Sequence, residues 1–365
     1  MIDIDLTDDE ALLAKTVRSW FADFVDNSYL NAQRDSADGY EAARWEQMCA
    51  LGWTGINLPG RVGGADGTLA EAGLVAREYG RAAFASPLLA TMRTATALDT
   101  LGGCDPVLSR IAAGGRAALV APADRTVHAA PAGDGTYRLA GPPTVVEWLT
   151  QAADVALLLP VAGGETWICA LTSPGELADR TVAVPSVDNE RVFRLDLDGL
   201  RVTPALDGIA PRAAAYALAR ANLLRASAMV GGCEAVLEMS TRYAMERVQF
   251  GQPIGAFQAV RHHLGRMVIA LDAARLTCNE ALTRADRDVD ETAIAAVALF
   301  AAGRSYVEIV LTAAQIHGGV GTTTEHVLHH HYLRAKAMQL RAGKRANRLR
   351  EIHQALVVRR EGSLW

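Results

Sequence analysis

From Pro211 to its end the chain consists mainly of three long, alanine-rich runs of helical periodicity, and this limits its fold more than any other feature. The runs are AAAYALARANLLRASAMVGGCEAVLEMSTRYAMERV, AFQAVRHHLGRMVIALDAARLTCNEALTRAD and ETAIAAVALFAAGRSYVEIVLTAAQIH. Each exceeds the three or four turns of an average helix. Alanine has the best helix propensity, and its small side chain lets helix axes approach closely. The first two runs are joined by only QFGQPIG, so the pattern predicts long antiparallel helices that form, with a shorter fourth, a four-helix bundle.

The N-terminal part also reads as helical. Thr7 is a good N-cap and Glu10 completes a capping box. Leu12, Val17, Trp20, Phe21 and Phe24 then recur at helical spacing. EAARWEQMCALG and LAEAGLVAREYGRA predict two more helices, separated by the glycine-rich loop LPGRVGGADGT. Between the helical parts, the short apolar runs AALVAP, DVALLLPV, TWICAL and RVFRLDL are bounded by turn residues. With the turn-and-strand pattern GDGTYRLAG, they predict a small antiparallel β domain. Strands and helices do not alternate, which argues against a doubly wound sheet. The expected fold is therefore mainly α with a central β domain. A helical domain spans residues 1–115, the β domain 116–208 and the bundle 209–365.

Half of the 365 residues are hydrophobic and 21% are charged, which excludes intrinsic disorder. The net charge of −5 argues against a nucleic-acid binder. It conceals an asymmetry. From Pro211 onward there are 20 Lys and Arg against 13 Asp and Glu, which reads either as a solvated helix face or as the natural place for an anionic ligand. The acidic N-terminus is no signal peptide, and no uncharged apolar run of 18 residues is present, so no membrane span is expected. The five cysteines form no C-x-x-C pair and read as reduced, mostly buried thiols of a cytoplasmic protein. His329, His330 and His331 are consecutive, which points them in different directions on a helix and makes a poor metal site.

Two stretches carry a family resemblance. ERVQFGQPIGAFQAVRHHLGRM, from Glu246, resembles the Arg-x-x-Phe-Gly-x-x-Ile-x-x-Phe-Gln signature of the acyl-CoA dehydrogenase family. QIHGGVGTTTEHVLHHHYLRAK, from Gln315, is similar to its Gln-x-x-Gly-Gly-x-Gly motif. WEQMCALGWTGINLP, RVGGADG and REYGRA fit as well. In that family the bundle of one subunit supplies the adenine and pyrophosphate end of its neighbour's FAD. The resemblance therefore implies that Arg247 meets the pyrophosphate. It gives Gln249 and Phe250 the diphosphate and ribose, and Ile254 and Phe257 the adenine pocket. Gln315, Gly318 and Gly319 would admit close backbone approach to the cofactor.

The departures from the family are equally informative. The Thr-Glu-Pro-x-x-Gly-Ser-Asp segment is replaced by APADRTVHAAPAGDG, and the Trp-Ile-Thr strand is lost. Trp148 lies near it and reads as packing. Family members need a carboxylate to abstract the substrate α-proton. In most, it follows the last bundle helix, a position held here by Ala342, or by Gly343 after a one-residue slip. In others it lies in the first bundle helix, at Ala221 here. No catalytic base is expected at either position. Arg334, Lys336, Arg341, Lys344, Arg345, Arg348 and Arg350 form a basic run, read either as a solvated face or as a phosphate or acidic-partner surface.

The pattern resembles the non-catalytic chain of heterotetrameric actinobacterial acyl-CoA dehydrogenases. It implies a homologous partner chain, FAD and an acyl-CoA thioester. Two alternatives stand beside it. One is a homo-oligomeric flavoenzyme with an unusual base, Glu147 or Asp124. The other is a scaffold without FAD.

Overall fold

The computed structural model describes residues 6–122, 126–287 and 291–361, so Asp124 lies outside the described residues. Six helices come first: α1 (Asp8–Ala22), α2 (Asn27–Asp35), α3 (Ala42–Ala50), α4 (Leu69–Arg81), α5 (Leu88–Leu101) and α6 (Asp105–Ala112). The Thr7–Glu10 capping box forms at α1, and Thr68 and Glu71 form a second at α4. Helices α2, α5 and α6 lie within the segment read as helical but were not delimited individually from the sequence.

The central strands are β1 (Ala117–Val120), β2 (His128–Pro131), β3 (Tyr137–Ala140), β4 (Thr144–Glu147) and β5 (Asp154–Pro160). They continue as β6 (Trp167–Thr172), β7 (Thr181–Val184), β8 (Val192–Leu195), β9 (Arg201–Val202) and β10 (Pro204–Ile209). They form three sheets, ordered β1–β5–β6–β10, β2–β3–β9 and β4–β8–β7. Pairing is antiparallel with one correction to expectation: β1 and β5 are parallel, with Ala117 opposite Asp154. The chain between them carries β2 to β4 and is long enough for the crossover a parallel pair needs. After Asp154, strand β5 is apolar because both its faces are covered. Val155, Leu157 and Leu159 face the interior between the sheets, while Ala156 and Leu158 pack with Leu98, Leu108 and Ile111 of α5 and α6.

The C-terminal helices are α7 (Pro211–Glu246), α8 (Gln258–Asp286), α9 (Thr292–His317), α10 (Leu328–Arg341) and α11 (Arg345–Glu361), with a small hairpin, β11 (Val248–Gln249) and β12 (Gln252–Pro253), after α7. The expected bundle is α7 to α10, and α11 adds a fifth helix. The residues from Thr292 to Thr322 have a mean hydropathy of 1.7 over their most apolar window, half of it buried, so α9 serves as a core helix packed against α7, α8 and α10.

Small residues set the crossing of α4 with α7. A Cβ on Gly80 would lie 1.8 Å from the carbonyl oxygen of Ala228, and one on Gly231 would lie 1.8 Å from that of Arg77. The helices are thus in backbone contact at two points. Around this crossing Arg77 and Arg81 of α4 pair with Glu234 of α7. Asp286, at the end of α8, accepts from the amides of Leu69 (2.8 Å) and Ala70 (3.1 Å) and so caps α4 from a distant element. His331 is buried, with Nδ1 2.7 Å from the Tyr306 hydroxyl, and His330 is buried beside it. Among the described residues no group of three or more His, Cys, Asp or Glu is arranged to hold a metal.

Candidate functional site

The segment VDNER precedes the apolar strand β8 and would ordinarily read as an exposed turn. Instead Asp188, Asn189 and Glu190 are buried, and each is tied to other elements. Asp188 pairs with Arg341 of α10. Asn189, at a left-handed φ of 63°, donates to the carbonyl of Leu30 in α2 over 2.8 Å. Glu190 accepts from the Tyr79 hydroxyl of α4 (3.1 Å) and from the Trp148 indole, and lies 2.9 Å from Arg334 of α10. Arg191 donates to the carbonyls of Gln33 and Ser36. These consecutive residues therefore join the β domain to the N-terminal helices and to the bundle. Trp148 is buried with Tyr40, Ala85 and Ala90, in keeping with a packing role.

Glu147, at the end of β4, extends the network. It pairs with Arg225 of α7, with Arg341 at 2.9 Å and with Arg93 of α5 at 3.6 Å. Burial alone would raise its pKa, but Arg225, Arg341 and Arg93 outweigh burial and hold it below the ordinary carboxylate value. Asp188 is likewise held low against burial by Arg341 and Arg334. For Glu190 burial wins over Arg334, and with Asp188 nearby its pKa rises to about 7. Arg93, buried and repelled by Arg225, is pushed down to about 9.

Both positions at which the resemblance places a base lie against this network. Ala221 and Ala342 are buried. One helical turn beyond Ala221, Arg225 donates to the carbonyl of Arg341, the residue before Ala342, over 2.9 Å. At the two positions to which the resemblance assigns a base, the chain has methyl groups beside a network of buried ion pairs. Glu147 carries a carboxylate, but its role is that of counter-ion to three guanidinium groups.

The basic run divides: Lys336 stays exposed, as a solvated face would have it, while other members turn inward. Arg334 and Arg341 turn inward to Glu190, Asp188 and Glu147, and Arg348 pairs with Glu351 at 2.6 Å. Lys344, Arg345 and Arg350 remain exposed. The acids that take up the inward Arg334 and Arg341 come from the β domain, far earlier in the chain, and a local scan could not pair them.

The residues tied by resemblance to FAD lie at the far end of α7 and α9. Arg247 follows α7 directly; it is exposed, and among the described residues its guanidinium makes no hydrogen bond or ion pair. The hairpin after it pairs Gln249 with Gln252 across a two-residue turn, in which Phe250 (φ 52°) and Gly251 (φ 80°) both take the left-handed region. This turn thrusts Phe250 into solvent, 91% exposed, with the Phe257 ring edge-on to it at 6.1 Å. Ile254 and Phe257 are half-buried behind the hairpin, and the Ile254 amide donates to the carbonyl of Arg247 over 2.8 Å. Gln315, Gly318 and Gly319 are exposed. No atom lies within 4 Å of where a Cβ would stand on either glycine, and Gly318 sits at φ 61°, which favours glycine. The surface is open, cationic and aromatic. It faces outward, away from the chain's own buried network.

The three-part helical, β and helical-bundle architecture defines an acyl-CoA dehydrogenase fold. Residues 7–103 match the family described as "Acyl-CoA dehydrogenase, N-terminal domain", and residues 211–357 match "Acyl-CoA dehydrogenase, C-terminal domain". The chain belongs to the acyl-CoA dehydrogenase family, oxidoreductases acting on CH–CH bonds. It is 27% identical over 352 residues to "Acyl-CoA dehydrogenase IpdE2" of Mycolicibacterium smegmatis, covering 95% of this chain and 98% of that protein. The Mycobacterium tuberculosis protein of the same name is 29% identical over 333 residues, covering 90% and 91%. Among solved structures, the ChsE4-ChsE5 complex from Mycobacterium tuberculosis superposes with a TM-score of 0.86 at 24% identity, covering 98% of this chain and 99% of that one.

Proposed function

We propose that this chain is the base-lacking subunit of a heteromeric acyl-CoA dehydrogenase, supplying adenine and pyrophosphate contacts to an FAD held mainly by a homologous partner chain. One observation carries the reading: the segments at which a base would stand, around Ala221 and Ala342, are joined by Arg225 and closed by ion pairs, while the Arg247 and Gly318–Gly319 surface stays open. A fold relative solved as the ChsE4-ChsE5 complex supports a two-chain assembly. The five free thiols suit a cytoplasmic complex.

The outward surface fits one end of the cofactor. Arg247 offers a fork of donors to a pyrophosphate, and Gly318 and Gly319 expose backbone without a Cβ in the way. Gln249, Phe250 and Gln315 would contact the diphosphate and ribose, with Ile254 and Phe257 behind the adenine. FAD, when bound, accepts the β-hydrogen of the acyl thioester as hydride. The α-proton must go to a carboxylate, and in this reading that carboxylate belongs to the partner. A site lacking its general base forfeits about 10²–10⁴-fold in rate. Glu147 is a poor substitute, since its guanidinium partners keep it ionised and engaged.

The test is co-expression. The chain alone should purify without stoichiometric flavin and should not oxidise acyl-CoA thioesters. With a homologous chain that keeps the carboxylate, the complex should carry FAD, and Arg247→Ala should weaken its retention. Stoichiometric flavin and turnover by the chain alone would sink the proposal, as would unchanged FAD affinity in the Arg247→Ala complex.

A further inference from the structure

The two halves of the outward surface come from helices that end far apart in sequence, and one contact joins them. Tyr243 lies one turn before Arg247, and the Arg247 amide donates to its carbonyl over 2.9 Å. The Tyr243 ring stacks on the imidazole of His317, with centroids 4.3 Å apart and planes 18° from parallel. Its hydroxyl donates to the His317 carbonyl at 3.5 Å. His317 is the last residue of α9 and is followed directly by Gly318 and Gly319. A single tyrosine therefore holds the arginine turn against the glycine turn through both ring and backbone.

The imidazole is enclosed from the other side as well. His326 packs on it at 5.0 Å, with its own Nδ1 accepting from the Leu328 amide. Gly321 leaves it room, since a Cβ there would come within 2.8 Å of the His317 Cβ. His317 is only 3% exposed, and among the described residues neither ring nitrogen has a hydrogen-bond partner. Such a site favours the neutral ring: burial, helped by His326, lowers its pKa to about 4. At neutral pH the ring is therefore a flat, uncharged plate, and stacking is the interaction it contributes.

We infer that His317 is a positioning residue for the cofactor surface: its stack on Tyr243 sets the separation between the Arg247 turn and the Gly318–Gly319 backbone. The inference rests on the proposed role of that surface in binding FAD. A stacked pair contributes about 0.5–1.5 kcal/mol. Loss of the stack should thus weaken FAD binding by roughly 2- to 12-fold.

The experiment uses the assembled complex and measures FAD affinity by titration of the deflavinated protein, with thermal unfolding recorded separately. His317→Ala should weaken FAD binding by that factor, while His317→Phe, which keeps an aromatic plate and lacks ring nitrogens, should restore it. Tyr243→Leu should match His317→Ala. Equal FAD affinity in His317→Ala and wild type overturns the inference, and so does failure of His317→Phe to rescue a folded complex. Should His317→Ala fail to fold, the comparison of His317→Phe with Tyr243→Leu decides it: equal loss in both overturns it, and loss in Tyr243→Leu alone sustains it. Arg247→Ala separates the two levels. If it leaves FAD affinity unchanged, the proposed function fails. If it weakens binding and His317→Ala does not, only the positioning role fails.

Discussion

Arg225 of α7 donates to the main-chain carbonyl of Arg341 at the end of α10, over 2.9 Å. Its other terminal nitrogen pairs with Glu147 of β4. One side chain thus ties together a bundle helix, the end of a second helix and a β strand, beside the positions to which the family resemblance assigns a base. The contact makes the network structural, and several consequences can be measured.

Glu147→Ala removes the counter-ion shared by Arg225, Arg341 and Arg93. Breaking a buried pair while leaving the charges behind costs about 3–5 kcal/mol. Urea unfolding should show a loss of that size with an unchanged m-value. A loss below about 1 kcal/mol would mean that the arginines are solvated without it.

Placing a carboxylate at the first base position should not create a dehydrogenase. Ala342 is buried and follows Arg341 directly, so Ala342→Glu would give these arginines one more acid to pair with. The variant chain, expressed alone, is expected to reduce no electron-accepting dye with acyl-CoA substrates. Measurable turnover would show that the flavin and substrate sites are intact in this chain.

His331 sets a pH dependence. Burial first, then the charge of Arg334, lowers its pKa from 6.5 to about 3. Below pH 6.5 the unfolded chain therefore takes a proton that the folded chain refuses. The contribution to stability is complete above pH 6.5 and is lost as pH falls towards 3, at about 1.4 kcal/mol per pH unit. His331→Gln, which retains an acceptor for the Tyr306 hydroxyl, should show a shallower decline between pH 6.5 and 4. Parallel curves for wild type and variant would refute the assignment.

The α4–α7 crossing tolerates no side chain. Gly80→Ala would place a Cβ 1.8 Å from the carbonyl oxygen of Ala228, so the helices must separate. Overpacking of this kind costs about 1–3 kcal/mol. Chemical denaturation should show it, whereas Gly133→Ala, whose Cβ meets nothing within 4 Å, should cost less and act only through its positive φ.

What was legible in the sequence was local. The Thr7–Glu10 box, the 3.6-residue period of α7 to α9 and the short apolar runs of the β domain depend on residues within a few positions of one another. The two motifs around Arg247 and Gly318 could be singled out for the same reason, since each is contiguous. The parallel pairing of β1 with β5 and the inward turn of Arg334 and Arg341 could not. They depend on partners brought in from elsewhere in the chain. Asp188 and Glu190 look like loop residues because the basic residues near them in sequence do not pair with them: Arg191 turns to carbonyls of the α2 segment, and Arg194 is exposed on β8. By itself the sequence determined the long helices, the main apolar strands and the absence of a carboxylate at positions 221 and 342. Tertiary structure decided which charges are buried, because desolvation makes an arginine tolerable in the interior only when a distant segment delivers its carboxylate.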